Sequence, residues 1–186
     1  MTLTKTPICD FGTKAKDFKL KSIDKKLVSL DDVRGKNGTL IMFICNHCPY
    51  VKAIINDLVE DCKKIKLDGI NSAAIMSNDI KNYPEDSFDK MVEFANNNQF
   101  GDLVYLIDET QEIAKKYGAV CTPDFFGYNK NLELQYRGRI RELKVLKPVR
   151  SDESDLSKAM KQITETNIGP KKQIPSTGCS IKWLNK

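Results

Sequence analysis

The chain has 186 residues, of which 40% are apolar, and its formal net charge is +5. This length suits a single domain with its own core, and the apolar fraction excludes a mostly disordered chain. No apolar run approaches the roughly 18 residues of a membrane span, and the polar N-terminus lacks the apolar stretch of a signal peptide. We therefore expect a cytoplasmic protein that does not bind membranes. Because the lysines are scattered rather than gathered on one basic face, we also expect no nucleic-acid binding.

The first quarter of the chain predicts a hairpin and then a buried strand. Residues 1–16 are expected to be an irregular lead-in, whereas residues 17–20 and 26–30 alternate in polarity as half-buried strands do. Residues 39–44 form an apolar run rich in β-formers, which is typical of a central strand buried on both faces.

The rest of the chain alternates helical and strand patterns. The predicted elements are a helix from Pro49 to residue 68, strands over 70–76 and 103–107, helices over 87–97 and 109–117, a hairpin of 124–128 with 132–136, and a helix over 152–164. This alternation indicates an α/β domain with a mostly parallel sheet, to which the hairpin adds antiparallel edges. We predict one domain over residues 1–164 and an irregular tail over 165–186 that docks on it.

Six cysteines and a single histidine limit the chemistry of the chain. In a reducing cytoplasm, cysteines are core residues, metal ligands or redox groups rather than a disulfide framework. One histidine excludes a site built from several. This histidine, His47, lies between Cys45 and Cys48, where the buried strand meets the helix that Pro49 begins.

The junction of strand and helix predicts a redox-active pair. A helix N-terminus stabilises a thiolate, a protonated imidazole adds to that effect, and a two-residue spacer brings both sulfurs within disulfide reach. In such a pair the first cysteine, Cys45, is the more exposed and attacks, while Cys48 lies within the helix and resolves the mixed disulfide. The sequence therefore predicts catalytic roles for Cys45, Cys48 and His47.

Half of a zinc site is an alternative interpretation of the pair. Zinc needs two further ligands, which would come from a carboxylate or from the other cysteines, Cys9, Cys62, Cys121 and Cys179. Cys62 lies on the apolar face of the helix and is expected in the core, whereas Cys9 is expected near the surface. No nucleotide-binding motif is present, so we expect no cofactor and no resident metal.

Several runs of the sequence resemble one known family. They are LIMFICNHCPYV at 40–51, YPED at 83–86, DETQ at 108–111, YGAVCTPDFF at 117–126 and GCSIKW at 178–183. Together they resemble the thioredoxin superfamily, and within it the redoxin branch of alkyl hydroperoxide reductase and thiol-specific antioxidant-like proteins, over residues 10–186. The tail is similar to that of a bacterial thioredoxin-like, peroxiredoxin-like subgroup.

The resemblance implies a fold and a reaction. The fold is thioredoxin-like, with a central mixed sheet flanked by helices, an N-terminal hairpin and a redoxin-type extra helix–strand unit over residues 87–107. The Thr122–Pro123 bond is expected to be cis, and both residues to shape a substrate groove beside the cysteine pair. The implied reaction is exchange with a protein or small-molecule disulfide, with a thioredoxin-type dithiol as electron donor.

Two more cysteines keep two interpretations each. The resemblance brings Cys121 near the pair, where it is either core filler or an additional redox group. Cys179 either packs with Ile181 and Trp183 to anchor the tail or acts as a third redox partner. Asp124, just after the expected cis-proline, is interpreted as a charge at a strand edge.

Departures from the family pattern concern the neighbours of the pair. Plain thioredoxins have Trp before the first cysteine and a buried acid six residues before it, where this chain has Ile44 and Thr39. The proton acceptor for Cys48 is therefore not visible in the sequence. His47 replaces the proline of the plain motif, and we expect it to make the disulfide more oxidising.

A peroxidase, acting on peroxide, is the nearest alternative enzyme. Similar peroxiredoxins place Thr or Ser three residues before the reactive cysteine and an arginine nearby, because these groups polarise the peroxide oxygens. Here the corresponding positions hold Met42 or Cys45, and Arg137 and Arg139 lie after the cis-proline motif. The sequence therefore favours disulfide exchange.

Overall fold

A seven-stranded sheet with helices on both faces organises the part of the chain that this computed structural model describes, residues 2–151 and 153–184. The strands are β1 (Leu3–Lys5), β2 (Lys19–Ser22), β3 (Leu27–Ser29), β4 (Gly38–Phe43), β5 (Ile70–Met76), β6 (Val104–Ile107), β7 (Cys121–Thr122), β8 (Asp124–Asn129), β9 (Leu134–Tyr136), β10 (Leu143–Lys144), β11 (Lys147–Pro148) and β12 (Thr177–Ser180). The α-helices are α1 (Pro49–Leu67), α2 (Phe88–Asn97), α3 (Glu112–Tyr117) and α4 (Asp155–Thr166). No helix among these residues is long and apolar enough to cross a bilayer.

The large sheet is mixed, and its strand order is β3-β2-β6-β5-β4-β8-β9. β4 runs parallel to β5, and β5 runs parallel to β6. The β2–β3 hairpin at one edge and the β8–β9 hairpin at the other are antiparallel. The α/β fold is confirmed, with its mixed sheet and N-terminal hairpin, and α2 with β6 forms the additional helix–strand unit. Because β2 also pairs antiparallel with β6, and β4 with β8, the prediction of a mostly parallel sheet is wrong.

Strand β4 lies at the centre of the sheet, and every one of its residues is buried. The pleat directs successive side chains to opposite faces. Leu40 and Met42 join the core that includes residues of α1 and α4, whereas Ile41 and Phe43 join the core that includes residues of α3. The end of β4 is therefore fixed between two cores, and the cysteine pair follows directly.

Helix α1 begins at Pro49, which suits the first helical position because its missing N–H is not needed there. A residue before proline disfavours helical backbone, and Cys48 is accordingly the N-cap, with an extended backbone. Cys48 thus lies just outside the helix, which corrects the prediction that it lies within it.

Helices α3 and α4 begin later than the sequence predicts, because side chains cap their first turns. The Asp108 carboxylate accepts backbone N–H groups of α3, and Gln111, with φ of 63°, stays outside the helix. Ser154 accepts the Ser157 N–H at the start of α4. Asp152, where the predicted helix begins, lies outside the described residues.

Both ends of the chain contain strands, which corrects the prediction of irregular segments there. β12 pairs antiparallel with β1 on one side and with β7 on the other, so that Cys179 lies between Leu3 and Thr122. The strands are short and come from opposite ends of the chain, so their local sequence patterns do not reveal the pairing. The division of the chain at residue 164 stays a prediction.

Candidate active site

The cysteine pair lies in the connection between β4 and α1, against the segment that contains the Thr122–Pro123 bond, which is cis as predicted. Cys45 and Cys48 are free thiols, 1% and 0% exposed. The Cys45 sulfur lies 3.3 Å from the Thr122 hydroxyl, and the Cys48 sulfur lies 3.1 Å from the Thr122 carbonyl oxygen. The structure brings the pair and the cis-proline motif together, and it corrects the expectation that Cys45 is exposed.

The pKa values of the two paired thiols shift in opposite directions. The hydrogen bond from the Cys45 thiol lowers the pKa of Cys48 to about 5, although burial opposes this. Hydrogen bonds from the backbones of Val51 and Cys179 act in the same direction. The hydrogen bond with Cys48, burial and the charge of Asp86 raise the pKa of Cys45 well above its usual range. The surroundings of the pair therefore favour loss of the proton from Cys48 before Cys45, whereas the sequence suggests a thiolate on Cys45.

His47 is held by a carboxylate that the sequence did not single out, that of Asp86. The Nδ1 atom of His47 lies 2.6 Å from Oδ2 of Asp86 and 4.0 Å from the Cys45 sulfur. The hydrogen bond to Asp86 raises the pKa of His47. The ring also stacks on Tyr83 at a centroid distance of 5.5 Å. An imidazole whose protonated form is favoured by a buried carboxylate is thus positioned beside the first sulfur.

Asp86 is fully buried and fixed by several donors. Its Oδ1 accepts the backbone N–H groups of Asn46 and His47 at 2.8 and 3.3 Å, and its Oδ2 accepts the Asn78 side-chain amide at 2.7 Å. Asp86 reaches Asn46 across 40 residues of sequence. Asp86 lies in the YPED run at 83–86, but nothing in that run distinguishes Asp86 from the neighbouring acid Glu85.

Asn46 fixes the loop between the two cysteines. Its Oδ1 accepts the hydroxyl of Tyr105 at 2.9 Å, and its Nδ2 donates to the carbonyl of Glu85 at 3.1 Å. Tyr105 is fully buried on β6, so its hydroxyl is a rigid donor. The spacer of the pair is therefore held by the sheet and by the turn that carries Asp86.

Cys179 and Cys121 differ in their relation to the pair. Cys179 contacts the Cys48 sulfur through hydrogen bonds of both its backbone and its side chain. Burial raises the pKa of Cys179 to about 12. Cys121 is fully buried, and its thiol donates to the Pro123 carbonyl at 3.7 Å. Cys179 shares a core cluster with Cys45 and Cys48, which Cys121 does not join.

Asp124 forms a buried ion pair, which corrects its interpretation as a charge at a strand edge. It is fully buried on β8, an interior strand, and lies 2.9 Å from the guanidinium of Arg137. This guanidinium also donates to the Gly118 carbonyl and lies 4.4 Å from the ring centroid of Phe126. Arg137 therefore has structural partners that hold it.

Cys62 and Cys9 are both buried. Cys62 lies within α1, in the core as expected. Cys9 is only 7% exposed, which corrects its expected place near the surface. Backbone hydrogen bonds from Gly12 and Ala15 to the β8–β9 hairpin hold this segment against the sheet.

Cys45, His47 and Asp86 together offer a sulfur, a ring nitrogen and a carboxylate oxygen within 4.8 Å of one another. These are ligand types that zinc accepts. Asp86 supplies the carboxylate that the zinc alternative requires, but its oxygens already accept hydrogen bonds from His47, Asn46 and Asn78. A zinc ion would compete with disulfide exchange for the Cys45 sulfur.

A groove of about 340 Å³ adjoins the cis-proline. Its apolar lining includes Tyr50, Ile54, Pro123, Ile140 and Leu143, and its charged side chains are Lys5, Arg139 and Arg141. The groove thus extends from Tyr50, two residues beyond Cys48, to the strand that carries Pro123.

Comparisons with known proteins agree with this architecture. A family model described as the AhpC/TSA family matches residues 11–143. A crystal structure of an uncharacterized conserved protein from Geobacillus kaustophilus has 37% sequence identity and a TM-score of 0.94, over 100% of this chain and 98% of that one. A hypothetical protein from Sinorhizobium meliloti has 31% identity and a TM-score of 0.90, over 98% of this chain and 100% of that one. No curated protein matches the sequence.

More distant structures carry the same fold. The thioredoxin domain of a thiol-disulfide oxidoreductase from Bacteroides vulgatus has 14% identity and a TM-score of 0.58, over 68% of this chain and 86% of that one. At this identity the likeness concerns the fold alone. The predicted thioredoxin-like fold is confirmed.

Proposed function

This chain belongs to the AhpC/TSA family, the redoxin branch of the thioredoxin superfamily, and we propose that it is a thiol–disulfide oxidoreductase that works through Cys45 and Cys48. The observation that carries the proposal is the position of these two free thiols at the N-terminus of α1, where both sulfurs contact Thr122 of the cis-proline motif. The thiolate is the reactive form in disulfide exchange, and neighbouring sulfurs can close a disulfide.

In the first half-reaction Cys45 attacks a substrate disulfide. We place Cys45 first because it contacts the Thr122 side chain and the half-buried His47, whereas Cys48 contacts the Thr122 carbonyl and Cys179. A bond forms between Cys45 and one substrate sulfur while the substrate disulfide breaks. The proton of Cys45 passes to the Cys48 thiolate and then to the departing substrate sulfur. Cys48 thus serves as the proton acceptor for Cys45.

In the second half-reaction Cys48, again a thiolate, attacks the Cys45 sulfur. The Cys45–Cys48 bond forms, the bond from Cys45 to the substrate breaks, and the second substrate sulfur leaves as a thiol after taking up a proton from solvent. Two electrons have then moved from the pair to the substrate. A thioredoxin-type dithiol would return them by the same steps.

His47 and Asp86 act as positioning residues in this scheme. The imidazolium lies beside the Cys45 sulfur and favours negative charge there during attack, while Asp86 keeps the ring protonated and fixed. The stabilised Cys48 thiolate favours the reduced state, so the disulfide should be a stronger oxidant than that of thioredoxin. A redox titration should give a potential above about −270 mV, and a lower value would contradict this poise.

The apolar groove beside Pro123 supports a polypeptide substrate. Its lining joins Pro123 to Tyr50 at the start of α1, so it can receive an extended segment two residues beyond Cys48. The proposed partner is therefore a protein disulfide with apolar neighbours, and a small disulfide should react more slowly.

Trapping of mixed disulfides tests the assignment of the two sulfurs. With an unfolded protein whose disulfides are intact as probe, Cys48→Ser should accumulate a mixed disulfide on Cys45, and Cys45→Ser should trap none. The wild-type chain should reduce the probe's disulfides at the expense of a dithiol donor, and Cys62→Ser should behave as the wild type. Trapping on Cys48 in Cys45→Ser would reverse the order of attack. Stoichiometric zinc without any reductase activity would replace the proposal with a metal site.

Peroxide reduction is a second candidate, favoured by one observation. Similar peroxiredoxins have a Thr or Ser hydroxyl three residues before the reactive cysteine, and this chain has none there. The Thr122 hydroxyl, on another strand, lies 3.3 Å from the Cys45 sulfur and could take that place. Against it, Arg137 is held by Asp124. Stopped-flow oxidation of the reduced protein by hydrogen peroxide separates the two functions. We expect the rate of a free thiol, and a rate several orders of magnitude higher would establish the peroxidase.

A further inference from the structure

Cys48 has two thiol neighbours rather than one. Its sulfur accepts hydrogen bonds from the side chain of Cys45 and from both the backbone and the side chain of Cys179. Cys179 is only 4% exposed and belongs to the same buried cluster as the pair. Exchange between Cys45 and Cys48 alone does not require this third sulfur.

The position of Cys179 is set by the sheet and not by a loose tail. Its strand, β12, is paired on both sides, and Cys179 lies opposite Thr122. Thr122 is also the residue whose carbonyl contacts the Cys48 sulfur at 3.1 Å. The same residue of β7 therefore fixes the positions of both Cys48 and Cys179.

Gly178 permits the close approach of β12 to the cis-proline segment. A Cβ atom at this position would lie 2.0 Å from the Thr122 carbonyl oxygen and 3.0 Å from the Pro123 ring, so any larger residue would push the strand away. The small residue beside Cys179 thus keeps its sulfur within reach of Cys48.

We infer that Cys179 is a third redox-active thiol, which exchanges with the Cys45–Cys48 disulfide and takes over Cys48 as its partner. This step rests on the proposed function, because it starts from the disulfide which that function forms. The Cys179 sulfur attacks the sulfur of Cys48, so that the Cys48–Cys179 bond forms and the Cys45–Cys48 bond breaks. The proton lost by Cys179 goes to Cys45, and no electrons enter or leave the protein.

The consequence of this exchange is a protein that stays oxidised while Cys45 is again a thiol. The oxidising equivalent then lies in the interior, between the start of α1 and β12. A disulfide substrate that meets this form can bind covalently to Cys45, but it cannot be resolved until the dithiol donor reduces the Cys48–Cys179 bond and frees Cys48. Cys179 thereby regulates how long the oxidised pair is available.

Disulfide mapping in Cys45→Ser tests the inference. Reduced protein is treated with one equivalent of diamide, which takes two thiol hydrogens and becomes a hydrazine, and is then digested for mass spectrometry. A Cys48–Cys179 disulfide should dominate in Cys45→Ser and disappear in Cys45→Ser/Cys179→Ala. The matched control Cys45→Ser/Cys121→Ala should retain it, because Cys121 is equally buried but outside the cluster.

The outcomes separate this inference from the proposed function. Formation of Cys45–Cys48 in the wild-type chain, with Cys48 left as a thiol in Cys45→Ser, overturns the role of Cys179 alone. Absence of reductase activity in the wild type, with Cys48–Cys179 still formed in Cys45→Ser, overturns the proposed function alone. Thermal unfolding of each variant confirms that it is folded. If a double variant fails to fold, the disulfides are mapped in the single variant Cys179→Ala, in which Cys45 and Cys48 both remain.

Discussion

Cys48 and Cys62 are two buried thiols on the same helix with opposite chemistry. Cys48, the N-cap of α1, is 0% exposed, and Cys62, inside the helix, is 6% exposed. Hydrogen bonds from Cys45, from the backbone of Val51 and from Cys179 lower the pKa of Cys48 to about 5. Burial raises the pKa of Cys62 to about 12. Burial therefore raises the pKa of Cys62, whereas several donors aimed at the sulfur lower that of Cys48 although it is equally buried.

Substitution of Cys48 and of Cys62 should differ most in its effect on enzymatic turnover. Cys48→Ala should lower disulfide reductase turnover by about 10³-fold or more, because the pair fails as a unit when either sulfur is lost. Cys62→Ala should leave turnover unchanged. Thiolate absorbance at 240 nm in the reduced protein should rise with an inflection near pH 5 in the wild type and in Cys62→Ala. Persistence of that inflection in Cys48→Ala would place the charge elsewhere and break the comparison.

A smaller effect is expected from the carboxylate behind His47. Asp86→Asn removes the charge that raises the pKa of His47, so the titration of the imidazole, followed by NMR, should move to lower pH. Loss of the positioned imidazolium should reduce turnover by roughly 10²-fold. Asp61→Asn is a control with a similarly buried carboxylate on α1. If turnover falls without a change in the His47 titration, Asp86 has only a structural role.

The stability of the reduced protein should depend on pH with opposite signs at the two thiols. The pKa of Cys48 in the folded chain, about 5, is below its ordinary value of 9.0. Its contribution to stability is therefore fully present above pH 9 and is lost as the pH falls towards 5. The pKa of Cys62, about 12, is above 9.0, so its contribution is present below pH 9 and is lost as the pH rises towards 12.

Thermal unfolding of reduced protein between pH 4 and 11 measures both contributions. The difference in Tm between wild type and Cys48→Ala should grow from pH 5 to pH 9. The difference between wild type and Cys62→Ala should be constant below pH 9 and shrink above it. Parallel curves for the wild type and both variants would contradict the assigned pKa values.

The smallest effect concerns packing. Cys62→Ala removes one buried sulfur and should lower the free energy of unfolding by about 1 kcal/mol at neutral pH, as measured by urea denaturation. Because Cys62 belongs to the core of α1 and not to the site, the loss should appear as faster unfolding with unchanged turnover. A loss of turnover larger than the loss of folded protein would show that Cys62 influences the pair.

Features encoded by neighbouring residues could be predicted from the sequence. The apolar run at 39–44 predicts β4, Pro49 marks the start of α1, and the spacing of Cys45 and Cys48 indicates a pair at their junction. Cys48 is predicted within the helix but lies one residue before it. Proline occupies the first helical position, so the preceding residue, Cys48, is the N-cap.

Features that depend on distant residues could not be predicted in the same way. Asp86 contacts Asn46 across 40 residues, and the Thr122 hydroxyl meets Cys45 across 77. A carboxylate or a hydroxyl has no local pattern that marks such a contact. β1 and β12 are too short for a periodic signal, so the sequence left both ends of the chain irregular. The burial of Cys9 and Asp124 follows from the same long-range packing.

The pairing of β12 with β1 and β7 also has a consequence for the order in which the protein is assembled during synthesis. Leu3 pairs with Cys179, so this small sheet is completed only after residues 177–180 have left the ribosome. Until then β4 and α1 can form, but Cys48 lacks its contacts with Cys179 and with a fixed Thr122 carbonyl. A nascent chain therefore carries the pair without its full surroundings, and its reactivity is established by the last strand to join.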